Sequence, residues 1–105
     1  MPSNGSLGRS ASSETSTSPS YVVRLYIEGN AARSSEAVRL VASICEEKLG
    51  MDYRLEVVDL RQRPSRADRD GIFAAPTMVK ERPDPPRQTV GRLTRERVLA
   101  GLDLE

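Results

Sequence analysis

Residues 21–28 (YVVRLYIE), 35–49 (SEAVRLVASICEEKL) and 53–60 (YRLEVVDL) decide the fold. The first run is rich in β-formers and sets Val23, Leu25 and Ile27 on one face, which predicts a strand. Gly29 and Asn30 break it. Ser34 and Ser35 then offer N-caps, and Glu36 suits a first helical turn. Ala37, Val38, Val41, Ile44, Cys45 and Leu49 recur at helical spacing, so a helix is expected over Ser35–Leu49, stopped by Gly50. The run from Tyr53 to Leu60 alternates again as a second strand. Two strands joined by a helix in so short a span must lie parallel, with a right-handed crossover.

The remaining chain extends this pattern. Ser65-Arg66-Ala67-Asp68 carries a Ser-x-x-Asp capping pattern that opens a short helix after Pro64. Thr77–Lys80 and Thr89–Arg92 read as short strands, joined through an extended or turning segment by Pro83, Pro85 and Pro86. Thr94 caps a last helix that carries Val98 and Leu99 and meets Gly101. The order is βαβαββα, an α/β single domain of thioredoxin topology. A thioredoxin places its Cys-x-x-Cys after the first strand, where this chain has Gly29-Asn30-Ala31-Ala32-Arg33-Ser34, so that chemistry is missing. Ala75-Pro76-Thr77 enters the third strand where thioredoxins carry a cis-proline. Pro76 is either a slow switch point or only the start of an edge strand, and the sequence leaves both open.

Composition bounds the rest. A chain of 105 residues has room for one modest core. Residues 1–20 hold eight Ser and two Thr, with Met1 and Leu7 as the large apolar side chains, so this segment is expected to be disordered and residues 21–105 to form the domain. No apolar run is long enough for a signal peptide or a membrane span, which points to a cytoplasmic protein that uses no membrane. Fourteen of the sixteen basic residues are Arg, yet the net charge is only +1. Arg61, Arg63, Arg66 and Arg69 are interleaved with Asp68 and Asp70, so a solvated face is expected there and no nucleic-acid site. With one cysteine, Cys45, and no histidine, neither an internal disulfide nor a Cys/His metal site can be built, and the usual base for serine or thiol hydrolysis is missing. Cys45 lies on the apolar stripe of the first helix, where an inert thiol is expected. No cofactor is expected.

Several motifs taken together carry a family resemblance. They are Leu25-Tyr26-Ile27-x-Gly29-Asn30, Val57-Val58-Asp59-Leu60, Ala74-Ala75-Pro76-Thr77, Pro83-x-Pro85 with Arg87, Gly91-x-Leu93-Thr94, and Val98-Leu99-x-Gly101-Leu102-Asp103-Leu104. In order and spacing they resemble the KaiB family over Tyr21–Leu104, and the Pro-rich hairpin with the closing Val-Leu-x-Gly-Leu-Asp-Leu is the specific part. The resemblance implies binding without catalysis. It implies a metamorphic domain with two folds, one forming a homo-tetramer or dimer and one monomeric and thioredoxin-like. Only the second binds the ring-shaped ATPase KaiC, regulates its phosphorylation cycle, and then captures KaiA or engages histidine kinases. By position it makes Gly101 and Asp103 fold-switch residues, with Gly91 as the glycine before the last helix and Pro76 as the switch point already noted. It also assigns the second strand, Tyr53-Arg54-Leu55-Glu56, as the edge that receives the output partner.

The chain departs from that family in informative ways. Glu56 stands where the family carries Lys, Arg92 replaces an Asp, Ala31-Ala32 replaces Thr-Pro, and Thr94–Arg97 is one residue short. The acidic tail is missing and the Ser-rich head is extra. A divergent member with a different output partner is therefore expected. Two other classes stay open: the sensor domain of a KaiB-like histidine kinase, which would continue into a coiled coil beyond Glu105, and a redox protein using Cys45 alone.

Overall fold

A computed structural model describes residues 19–29 and 31–104; the Ser-rich segment up to residue 18, and Asn30 of the expected breaker, lie outside the described residues. The elements are β1 (Tyr21–Ile27), α1 (Ala32–Leu49), β2 (Tyr53–Asp59), α2 (Ser65–Asp70), β3 (Thr77–Arg82), β4 (Arg87–Val90) and α3 (Arg95–Gly101). They build a four-stranded sheet in the order β2-β1-β3-β4, with β1 and β2 parallel and the other pairs antiparallel. This is the expected βαβαββα arrangement, and β2 is an edge strand.

Several boundaries differ from expectation for identifiable reasons. α1 starts at Ala32 rather than Ser35, with Ala31 as an N-cap that makes no side-chain capping bond. Ser34 is not a cap: it lies inside the helix, buried, and its hydroxyl donates to the Glu28 carbonyl at 3.3 Å. Pro64, not Ser65, is the N-cap of α2, so the expected Ser-x-x-Asp cap does not form. Pro64 already holds helical φ, which lets the helix begin one residue early. The hairpin runs Thr77–Arg82 and Arg87–Val90 instead of Thr77–Lys80 and Thr89–Arg92. Cross-strand pairing sets that register, Lys80 opposite Arg87 and Thr77 opposite Val90, and Gly91 at φ +93° ends the strand. Thr94 does cap α3, accepting from the Arg97 amide at 3.2 Å.

Two faces of the sheet follow from strand alternation. Under α1 and α3, Val23, Leu25 and Ile27 pack with Val41, Ile44, Cys45, Met78, Val98, Leu99 and Leu102 as one apolar core. Each such large side chain contributes on the order of 2 kcal/mol by leaving water. The opposite face holds a smaller cluster, Tyr26, Val58 and Ile72, covered by the connection that contains α2. The rest of that face is polar and open. Beyond the sheet, Asp59 ties the strand ends together: its Oδ1 accepts from the Gly29 amide at 2.9 Å and the Arg61 amide at 3.0 Å. At the far edge, the Arg97 guanidinium donates to the carbonyls of Arg92 and Val90, the latter at 2.8 Å.

Candidate functional site

The edge strand β2 presents its residues in alternation. Tyr53 and Leu55 pack against the main core, while Arg54 and Glu56 belong to the open polar face. Its one neighbour in the sheet is β1, from Tyr21 opposite Tyr53 to Ile27 opposite Asp59, so its other side is unpaired within the sheet. Val57 is 42% exposed on this strand.

Glu56 does not pair with its strand neighbour Arg54. Its carboxylate accepts from Arg24 Nε at 2.7 Å and lies 3.7 Å from Arg66 NH1. Arg24 reaches Glu81 as well, at 2.5 Å. Arg66, expected on a solvated face with Arg61, Arg63 and Arg69, is instead buried, and its Nε donates to Asp70 Oδ2 at 3.0 Å. The same oxygen accepts from the Tyr26 hydroxyl at 2.6 Å. Charges therefore run in a chain across the sheet, Glu81–Arg24–Glu56–Arg66–Asp70. The Tyr26 hydroxyl, with help from Arg66 and Arg69, holds the Asp70 carboxyl down to about 2. Burial, then the Asp70 carboxylate, pushes the Tyr26 hydroxyl up. Helical spacing reveals Arg66 and Asp70 as an i,i+4 pair, but nothing in the sequence places Glu56 within their reach.

Of the four fold-switch candidates, Pro76 and Gly91 are bonded to each other, while Gly101 and Asp103 each face residues of β3 and β4. Pro76 is buried, follows a cis bond from Ala75, and its carbonyl accepts from the Gly91 amide at 2.9 Å. Cis bonds also precede Pro83 and Pro85. Gly101 is helical, and a Cβ there would overlap Thr89 Oγ1 and Met78 Cε, so close packing rather than φ calls for glycine. Asp103 sits at φ +59°, a conformation uncommon for a residue with a Cβ. Its Oδ2 accepts from Lys80 Nζ at 2.6 Å and its Oδ1 from Arg87 NH2 at 2.9 Å. Lys80, then Arg87, hold the Asp103 carboxyl below the usual carboxylate range.

Lys80 is the residue that sequence reading missed. It is 1% exposed, and its Nζ also donates to the Pro83 carbonyl at 2.6 Å. The available signal was parity: Lys80 shares a face with Met78, which is buried. Phe73 was missed too. It is 98% exposed in the loop after α2, in the same connection as the exposed Arg61, Arg63 and Arg69. Cys45 is fully buried, and burial pushes its thiol up to about 11, so at neutral pH it stays protonated. No helix among the described residues is long and apolar enough to cross a membrane.

Known proteins give this geometry a context. The N-terminal domain of Synechococcus elongatus SasA superposes with a TM-score of 0.70 at 17% identity, covering 89% of both chains. Chloroplastic thioredoxin z superposes at 0.67 and 17% identity, over 81% of this chain and 77% of that one. Those likenesses establish a thioredoxin-like fold. In sequence, the chain is 40% identical over 84 residues to the circadian clock protein KaiB3 of Synechocystis, spanning 79% of this chain and 82% of that protein. It is 44% identical over 85 residues to the circadian clock oscillator protein KaiB of Acaryochloris marina, spanning 80% and 82%. The KaiB domain model matches residues 24–104, which takes in the open edge, the polar face and the Asp103 contacts alike. By that match and those relatives, this chain belongs to the KaiB family.

Proposed function

We propose that this protein is a non-catalytic clock or timing adaptor. It binds a KaiC-like ATPase, regulates that enzyme's phosphorylation cycle, and then offers β2 to a second protein, either KaiA-like or a histidine kinase. The carrying observation is the open β2 edge, whose unpaired N–H and C=O groups suit strand addition. The relatives, named as circadian clock proteins, support the same reading. For the ATPase, Phe73 with Arg61 and Arg63 has the aromatic-and-arginine composition of an interface anchor. The protein works in the cytoplasm, without cofactor, membrane or nucleic acid.

Exchange with a tetrameric or dimeric fold belongs to this proposal. The contacts of Gly101 and Asp103 with Met78, Thr89, Lys80 and Arg87 support the thioredoxin-like arrangement, so substitutions at these positions bias the balance of folds. A thioredoxin-type reaction on Cys45 has no support, since a buried, protonated thiol is a poor nucleophile.

The test is binding by Glu56→Lys and Glu56→Gln to a purified KaiC-like ATPase, with and without nucleotide, followed by the second partner. Affinity for the ATPase is expected to stay within about twofold, while Glu56→Lys shifts second-partner affinity by about tenfold. Glu56→Gln separates loss of the Arg24 pair from reversal of charge. Unchanged second-partner affinity in both variants, or an equal loss at both steps, would remove β2 from the output surface.

A further inference from the structure

Two main-chain bonds fix which groups of β2 face away from the sheet. The Tyr21 amide donates to the Asp52 carbonyl at 3.3 Å, and the Leu60 amide donates to the Ile27 carbonyl at 2.8 Å. In a parallel pair alternate residues bond to the neighbouring strand, so Arg54, Glu56 and Val58 direct their N–H and C=O groups at β1. Tyr53, Leu55 and Val57 direct theirs outward, where the sheet has no further strand among the described residues. Asp59, next in that series, gives its carbonyl to the Gln62 and Arg63 amides at 3.0 Å, so the open run is centred on Leu55.

That run is complementary to itself. A second copy turned about a two-fold axis at Leu55 sets Leu55 opposite Leu55 and Tyr53 opposite Val57, and each opposed pair exchanges two main-chain bonds. On the open face the same turn sets Arg54 opposite the second copy's Glu56, and Glu56 opposite the second copy's Arg54, in the closer pairs that share no main-chain bond. Moving the axis by one residue brings Arg54 against Arg54 or Glu56 against Glu56, so charge selects the register. The groups are ready for it. Arg54 is exposed and makes no ion pair or side-chain hydrogen bond among the described residues. Glu56 holds Arg24 at 2.7 Å and stands 3.7 Å from Arg66, yet its side chain is 43% exposed, and a carboxylate accepts more donors than these. We infer that β2 pairs antiparallel with β2 of a second copy, joining two sheets into one and covering the edge proposed for the output partner. The covering rests on that reading of β2; the pairing does not. A two-fold contact uses both β2 edges and closes at two copies. One strand from each copy makes a small contact, so half-association is expected on the order of 100 μM.

The experiment uses the full chain alone, by sedimentation equilibrium and by amide hydrogen exchange over a concentration series. Mass should rise from 11.6 kDa toward twice that value. Exchange of the Tyr53, Leu55 and Val57 amides should slow with concentration, while the Arg54 and Glu56 amides, bonded to β1, are protected throughout. Arg54→Glu and Glu56→Arg should each stay monomeric, and an equal mixture of the two should dimerise, because one strand then carries two cations and the other two carboxylates. Arg54→Glu leaves the Arg24–Glu56 pair in place, so it decides the matter even where Glu56→Arg does not fold. The pairing is overturned if mass stays at 11.6 kDa, if Arg54→Glu associates like wild type, or if mass rises while the Tyr53, Leu55 and Val57 amides exchange unchanged. These readouts need no second protein. A final arm adds the output partner below and above half-association: if the chain dimerises and second-partner binding ignores its concentration, β2 pairs but is not the output edge.

Discussion

Leu25 and Tyr26 are neighbours on one strand, yet they belong to different worlds. Leu25 enters an apolar core closed by two helices, with Lys80 as the buried charge on that side. Tyr26 enters a face only partly covered, where a chain of charges continues from its hydroxyl through Asp70 and Arg66 to Glu56 and Arg24. The first face holds the domain together. The second places charged groups at defined points, from the buried Arg66 out to the more exposed Glu56, an arrangement that suits selection among partners. A short α2 is the cause of the difference: six residues cannot cover what an eighteen-residue α1 covers on the other side.

Substitutions can break this contrast. Leu25→Ala should give the largest effect, a loss of about 3 kcal/mol in denaturant unfolding, because the core around it cannot collapse fully into the space. If Leu25→Ala costs no more than Arg24→Gln on the open face, the two faces are energetically alike and the contrast fails.

Lys80 sharpens the comparison, since it is the charge on the apolar side. Lys80→Ala should cost about 2 kcal/mol, through the lost aliphatic stem and the lost partner of Asp103. Lys80→Met keeps the stem, so its difference from wild type isolates the ammonium and its difference from Lys80→Ala isolates the stem. Equal stabilities for Lys80→Met and wild type would mean that the ion pair sets conformation rather than stability. Equal losses in both variants would mean that the stem contributes nothing.

The smallest effect belongs to pH. Asp70 is held down to about 2, mainly by Tyr26, so its contribution is fully present above its unfolded value of about 3.9 and disappears as pH falls toward 2. Solvent screening keeps this to a fraction of a kcal/mol. In Tyr26→Phe the decline in stability between pH 4 and pH 2 should be shallower than in wild type, by about that fraction. Parallel pH profiles for the two proteins would show that the hydroxyl does not hold the carboxylate.

The parts legible in the sequence were those fixed by local periodicity. Val23, Leu25 and Ile27, the α1 stripe through Val41, Ile44 and Cys45, and the Thr94 cap are local signals, and each occupies its expected place. The parts that escaped depend on distant residues. Ser34 had two possible hydrogen-bonding roles, and the position of the Glu28 carbonyl decided between them. The hairpin ends were set by cross-strand pairing rather than by the prolines. Arg66 looked like one more exposed arginine until folding brought Asp70 and Glu56 to it. For the candidate site the edge strand was readable from strand order, but Lys80 as the partner of Asp103 required contact across the sheet.

The Arg97 guanidinium, lying against the carbonyls of Val90 and Arg92, gives the sheet a polarity of assembly. At that end the chain occupies one acceptor that another strand would need, the Val90 carbonyl, on a strand of only four residues. Along β2, the described residues place a comparable bond at the last residue, Asp59, whose carbonyl accepts from the Gln62 and Arg63 amides at 3.0 Å. The two edges are thus unequal hosts for another strand: β2 offers a run of seven residues, while β4 offers four with the Val90 acceptor already taken.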